Sequence, residues 1–183
     1  MIGIEIMVEE HKNILRLCAV VRSMCFDILK GKEINYEDFY RVADFVKNYA
    51  DSHHHGKEEK LLFKKMQQQL GRIGENLITH GMLVEHDLGR LHMSELKAAL
   101  ERVKEGDEES KLDVIANAIA YTHLIERHIK KEDELIYPYG EKHLDKEVLK
   151  EVDELTKSFE KEAEANGIQQ KYIHILEELE QKY

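Results

Sequence analysis

Residues 52–63 read SHHHGKEEKLLF: three consecutive histidines, a glycine, a lysine, two glutamates and an apolar step. Such a run is either a polar loop or one wall of a metal site, and its flanks decide between them. From Tyr36 onward apolar residues recur at helical spacing through Phe39, Val42, Phe45, Val46, Tyr49 and Ala50 towards Leu70, so a helix passes through the histidines. At ~100° per residue, positions i and i+4 lie about 40° apart and one turn along, so an imidazole and a carboxylate at that spacing converge. His54 and Glu58 then share a face with Ala50 and Leu61, while Glu59 points about 140° away from His54. The inward pair is His54 with Glu58, and His53 is expected in solvent.

The run has a counterpart. HHGKEEKLLF from His54 resembles HIKKEDELIY from His128, and MVEEHKNILRL around His11 resembles MLVEHDLGRLH around His86, at offsets of 74 and 75 residues. One helical hairpin is thus echoed by a second, as in two hairpins related by a pseudo-twofold axis; the period is too long, with too few copies, for a solenoid. On the fourth helix Tyr121, Leu124 and Leu135 share the face of His128 and Glu132, while His123 and Asp133 point away. Ile4, Met7, Val8, Leu15 and Cys18 surround His11; Met82, Leu83 and Met93 surround His86.

Working outward, helical periodicity spans residues 3–29, ended by Gly31, and residues 35–70, followed by Gly71 and Gly74. A third helix is expected over 75–104, with Asp107 as N-cap after the turn, and a fourth over 108–137, stopping at Pro138. Four long helices with short connections predict an all-α, up-down-up-down four-helix bundle over residues 1–143. Residues 144–183 read as two further amphipathic helices parted by Asn166-Gly167, an appendage packed on the same domain that makes a homodimer conceivable. With one proline, no tryptophan and 35% charged residues, the composition also favours helices.

A net charge of −10 lacks the clustered basic excess that phosphate recognition needs, which argues against nucleic acid. No apolar run approaches the ~20 residues of a membrane span, and the acidic, amphipathic start MIGIEIMVEEHK is unlike a secretory leader. A cytoplasmic protein is expected. Cys18 and Cys25 lie on one face of one helix, too far apart along its axis to bridge, and read as reduced core residues.

A lone histidine on an apolar face is usually a satisfied core residue. Four at matching levels, two with a glutamate one turn on, are harder to explain that way, because buried carboxylates normally pair or coordinate metals. Ion pairs to Arg22 or Arg90 are the structural alternative. Imidazoles and carboxylates without thiolates suit iron, manganese or zinc, not a cysteine-based structural zinc. The donors exceed the needs of one tetrahedral ion and would serve two octahedral ions bridged by carboxylates. Ferritin-like centres expect Glu-x-x-His pairs; here the order is reversed and the spacing is different.

The EH…HHxKEE…EH…HIxKED pattern, over roughly residues 5 to 140, resembles the hemerythrin-like, or HHE cation-binding, proteins. The resemblance implies a four-helix bundle around a non-haem di-iron site, with His11, His54, His86 and His128 as terminal ligands and Glu58 and Glu132 as bridges. A fifth histidine is implied; His55 is the preferred candidate, against His80 or His123. Oxygen carriers of the family use an H-x-x-x-H pair on the third helix, whereas His80 and His86 are six apart. Asp133 sits where those carriers place a bridging carboxylate, so it competes with Glu132. No metal role is expected for His53, His92, His143 or His174, and Tyr121 is either a core residue or a donor to a bound ligand.

Three functions follow. The first is a di-iron protein that binds or senses O2, NO or peroxide, or takes part in iron handling. The second is an enzyme of oxidative or nitrosative defence that reduces peroxide or NO and needs an electron-donor protein. The third is an interaction module with a structural metal.

Overall fold

A computed structural model describes all residues, Met1–Tyr183. It contains no strand and is built from six continuous helical stretches. These are α1 (Ile2–Leu29), α2 (36–69), α3 (71–104), α4 (111–143), α5 (Lys146–Ala165) and α6 (Ile168–Lys182). Asn35 caps α2 by accepting from the Asp38 amide, and Asp107 caps the short turn Glu108–Ser110 ahead of α4, as Asn and Asp do at helix starts. Only Leu70 separates α2 from α3. Gly71 there has φ 59°, and a Cβ on Gly74 would lie 2.4 Å from the Met66 carbonyl oxygen, so the tight reversal requires glycine.

The helices that carry the repeated motif are not uniformly α. Val46–His55, Glu58–Leu62, Ile78–Met82 and Glu132–Ile136 are π turns, closed by i→i+5 bonds such as Phe63 N–H to Glu58 O and Tyr137 N–H to Glu132 O. A π turn holds more residues, so successive side chains are separated by a smaller angle than in an α-helix. This corrects two readings made at 100° per residue and a third made from the proline. His53 is buried at 3% exposure rather than solvated, because three neighbouring side chains now fit on the inward side. Leu62 and Ile136 take the core positions expected of Leu61 and Leu135, and Leu135 is 52% exposed. The fourth helix also continues through Pro138 to His143: the widened turn just before the proline displaces the carbonyl that its ring would meet in a regular helix. Leu15, expected beside His11, is 37% exposed, and Ile14 is buried in its stead.

Two apolar clusters flank the histidines. The larger runs from Ile14 to Cys25 on α1, across α2, α3 and α4, and takes in Tyr172, Leu176 and Leu179 of α6. The smaller joins Ile4, Met7, Leu62, Met66, Met82 and Ile136, with Val152 of α5. Hydrophobic burial therefore fixes the helices above and below a polar layer that contributes no apolar burial of its own. Cys18 and Cys25 are free and buried. No helix is long and apolar enough to cross a membrane.

Candidate metal centre

Into that layer α1 sends His11, α2 sends His54, His55 and Glu58, α3 sends His86, and α4 sends His128 and Glu132. All seven are buried, and both glutamates are 0% exposed. They form two groups whose donor atoms lie within 4.8 Å of one another: His11, His54, Glu58 and Glu132, and His55, Glu58, His86 and His128. The carboxylates span both. Glu58 Oε2 is 3.7 Å from His54 Nε2 and 3.5 Å from His86 Nε2. Glu132 reaches His11 Nε2 at 3.3 Å through one oxygen and His128 Nε2 at 3.1 Å through the other.

Sequence reasoning missed what orients these rings. His54 donates from Nδ1 to Glu10 at 2.9 Å, and His86 to Glu59 at 2.7 Å. His128 donates to Glu85 at 2.9 Å, and His11 to Asp133 at 2.8 Å. Each helix thus grips the histidine of the next, in a closed circuit α1→α2→α3→α4→α1. His55 has a longer bond to Asp51, 3.3 Å. Lys57 and Lys131, at equivalent places in the repeat, in turn hold Glu10 and Glu85. The signal was present in the sequence: every acid of the circuit adjoins an inward-facing residue in EH, EE or ED, and Asp133 holds a ring at the edge while Glu132 lies at the centre.

With Nδ1 engaged as a donor, a neutral imidazole directs the Nε2 lone pair inward. His11 Nε2 then faces His54 Nε2 at 2.9 Å, and His86 Nε2 faces His128 Nε2 at 3.1 Å. Glu58 Oε2 and both Glu132 oxygens are buried without a hydrogen-bond donor. Facing lone pairs and orphaned carboxylate oxygens call for positive charge between them. The ion-pair alternative does not provide it: Arg90 pairs with Asp51, Glu59 and Asp87, and Arg22 is exposed. Residues of this kind fit a metal cation.

In the metal-free chain the positive charge falls on two of the rings. Burial pulls His11 and His128 down, but the carboxylates beside them win and raise them to about 9 and about 10. Burial and the nearby His11 charge lower His54 to about 4, and burial beside His86 holds His55 well below its ordinary value. Burial and the Glu132 charge push Glu58 well above the carboxylate range. Glu132 is also penalised by burial, yet His128 and His11 bring it well below that range.

His80 and His123 are exposed, outside both groups, as are His143 and His174; His92 bonds to Asn117 at 3.3 Å. His53 joins Glu10 and Glu160 in a third cluster. The tyrosine at the centre is Tyr137, not Tyr121. Its hydroxyl donates to Glu58 at 2.5 Å and lies 3.4 Å from His11 Nε2. Tyr121 makes no hydrogen bond there.

Fold and site define an all-helical protein with a buried histidine–carboxylate centre able to hold cations. The model of the hemerythrin HHE cation-binding domain matches residues 2–140, and the chain belongs to that family. No curated protein and no solved structure matches it.

Proposed function

We propose that the chain is a carboxylate-bridged di-iron protein that binds or senses O2, NO or peroxide, or takes part in iron handling. The observation that carries this reading is the meeting of five inward histidines on two carboxylates that each reach both groups. Glu58 and Glu132 would bridge; His11 and His54 would hold one ion, and His55, His86 and His128 the other. Bound iron would supply an open coordination position and electrons for a small ligand; zinc or manganese would accept the same donors. The chain's own contribution is to fix the rings through Glu10, Glu59, Glu85 and Asp133, and to hold the hydroxyl proton of Tyr137 against Glu58. In this reading residues 1–143 form an up-down-up-down bundle, supported by the short connections between α2, α3 and α4, and residues 144–183 pack on it. The free buried thiols fit a cytoplasmic protein.

The test is to purify the protein anaerobically, count metal per chain and record the visible spectrum before and after O2. About two irons per chain and a new visible band support the reading; one zinc and no colour overturn it. Turnover of peroxide or NO with a reductant would move the protein to the second reading, an enzyme of oxidative or nitrosative defence served by an electron-donor protein. A cavity that opens at the surface and has His55 and His86 in its lining favours that as the alternative.

A further inference from the structure

The two groups of donors are unequal in histidine: His11 and His54 stand in one, His55, His86 and His128 in the other. The repeat shows where the difference arises. At its 74-residue offset His55 corresponds to Ile129, and Phe63 corresponds to Tyr137. Helix α2 turns both of its residues towards His86, whose ring centroid lies 3.7 Å from that of His55 and 6.0 Å from that of Phe63. It brings a nitrogen at 55 and only carbon at 63. Helix α4 does the reverse, with only carbon at 129 and an oxygen at 137. Each half thus has one donor in this pair of positions, at opposite places.

The Tyr137 oxygen stands where the first group lacks a third ring. Its side chain is buried at 1% exposure, and its ring lies within 4° of parallel to that of His11. The polar neighbours of the hydroxyl are Glu58 Oε1 at 2.5 Å and His11 Nε2 at 3.4 Å, and both residues belong to the first group. The backbone fixes this position. The π turn Glu132–Ile136 closes with the bond from Tyr137 N–H to Glu132 O, so i→i+5 geometry carries the tyrosine and the shared carboxylate on one face. Tyrosine oxygen is an established ligand of iron in other proteins.

We infer that Tyr137 is itself a metal ligand, its phenolate oxygen completing the ion held by His11 and His54 as His55 completes the other. The inference rests on the di-iron reading and deepens it: the two ions differ in the element of one donor. The phenol O–H breaks, the oxygen–metal bond forms, and the proton held against Glu58 in the metal-free chain passes to the buffer. No oxidant or reductant is required for that step.

The test is to load the metal-free protein with ferrous iron without oxygen, oxidise it with ferricyanide, and record resonance Raman spectra in its visible band. Coordinated tyrosinate gives enhanced ring vibrations that move when the protein is made with ring-deuterated tyrosine. The parent chain shows them, Tyr137→Phe loses them, and Tyr121→Phe keeps them. Tyr137→Phe also weakens the binding of one iron by about tenfold or more, at least the loss seen when an outer partner of a ligand is removed. Iron count on the same samples separates the two readings. About two irons per chain with no tyrosinate vibrations in the parent means that the hydroxyl only donates to Glu58, which overturns this inference and leaves the di-iron reading in place. Vibrations that survive Tyr137→Phe overturn it as well. A chain that takes up no iron sinks the di-iron reading, and this inference with it.

Discussion

The two halves of the centre come from one repeated motif and are finished differently. Around His11 and His54 the outer lysine, Lys57, is fully buried and held by Glu10 and by Glu160 of α5. His53 lies against the same Glu10 oxygen at 2.8 Å, and the Phe159 ring packs over Gly56, where a Cβ would make an ordinary contact at 3.6 Å. Around His86 and His128 the equivalent lysine, Lys131, is 44% exposed and holds Glu85 alone. The aromatic residue of the repeat differs too. Tyr137 stacks near His11 and brings a hydroxyl, whereas Phe63 stacks on His86 and brings none. So the C-terminal pair of helices, which the repeat does not contain, breaks the twofold equivalence. It covers the outer lysine of one half and leaves that of the other in solvent.

The largest effect should come from a residue the two halves share. Glu58→Ala removes a carboxylate that reaches both groups, so metal content should fall to near zero. His54→Ala and His128→Ala should each remove about half, because each ring serves one group. Elemental analysis of purified variants decides it; equal losses in all three would mean that the halves do not bind separately.

Next come the outer acids, where the asymmetry is sharpest. Glu10→Ala leaves Lys57 buried with Glu160 alone, and removing a partner from a buried charge costs about 3–5 kcal/mol. Glu85→Ala leaves Lys131 free to turn into water and only the buried His128 Nδ1–H without its acceptor, so it should cost less, about 1–3 kcal/mol. Urea unfolding of the metal-free variants measures both. Similar losses would erase the distinction between a covered lysine and one in solvent.

A smaller effect belongs to the hydroxyl that only one half owns. Tyr137→Phe leaves the Glu58 oxygen at 2.5 Å without its donor, which should cost the metal-free protein about 1–3 kcal/mol. Phe63→Tyr, at the matching position, should give no compensating gain. A gain of equal size would show that the second half can also place a donor on the centre.

Much of this arrangement could be read from residue order, because a duplicated pattern has few helical solutions. The six helices, the inward direction of His11, His54, His86, His128, Glu58 and Glu132, and the free cysteines all follow from spacing and composition. What failed is local. The π turns at Val46–His55 and Glu132–Ile136 change the angle per residue, which is why His53, Leu135 and Pro138 were misplaced. No propensity scale signals a π turn. The closed circuit of acids leaves its trace in the EH, EE and ED pairs, but which ring each acid serves lies on a different helix and is set by packing. The reach of Glu160 to Lys57, 103 residues away in sequence, is set only by packing.

The covering helices have their own anchor at the far end of the molecule, and breaking it should give the smallest effect. Asp38 of α2 accepts from Lys182 and from the Tyr183 hydroxyl, the latter at 2.7 Å. Burial raises this carboxyl, but Lys182, Tyr183 and the nearby Arg41 outweigh it and set it below its ordinary value of 3.8. A carboxylate lowered in the folded state stabilises above its unfolded pKa, and that contribution is lost as pH falls through the folded value. Asp38→Asn should therefore lower stability by about 1 kcal/mol near neutral pH, and the gap to the parent chain should close below about pH 4. Thermal unfolding at both pH values measures it. A gap that persists undiminished in acid would mean that α6 is held by packing of Tyr172, Leu176 and Leu179 rather than by the ionised carboxylate, and the cover over Lys57 would then be as firm in acid as at neutral pH.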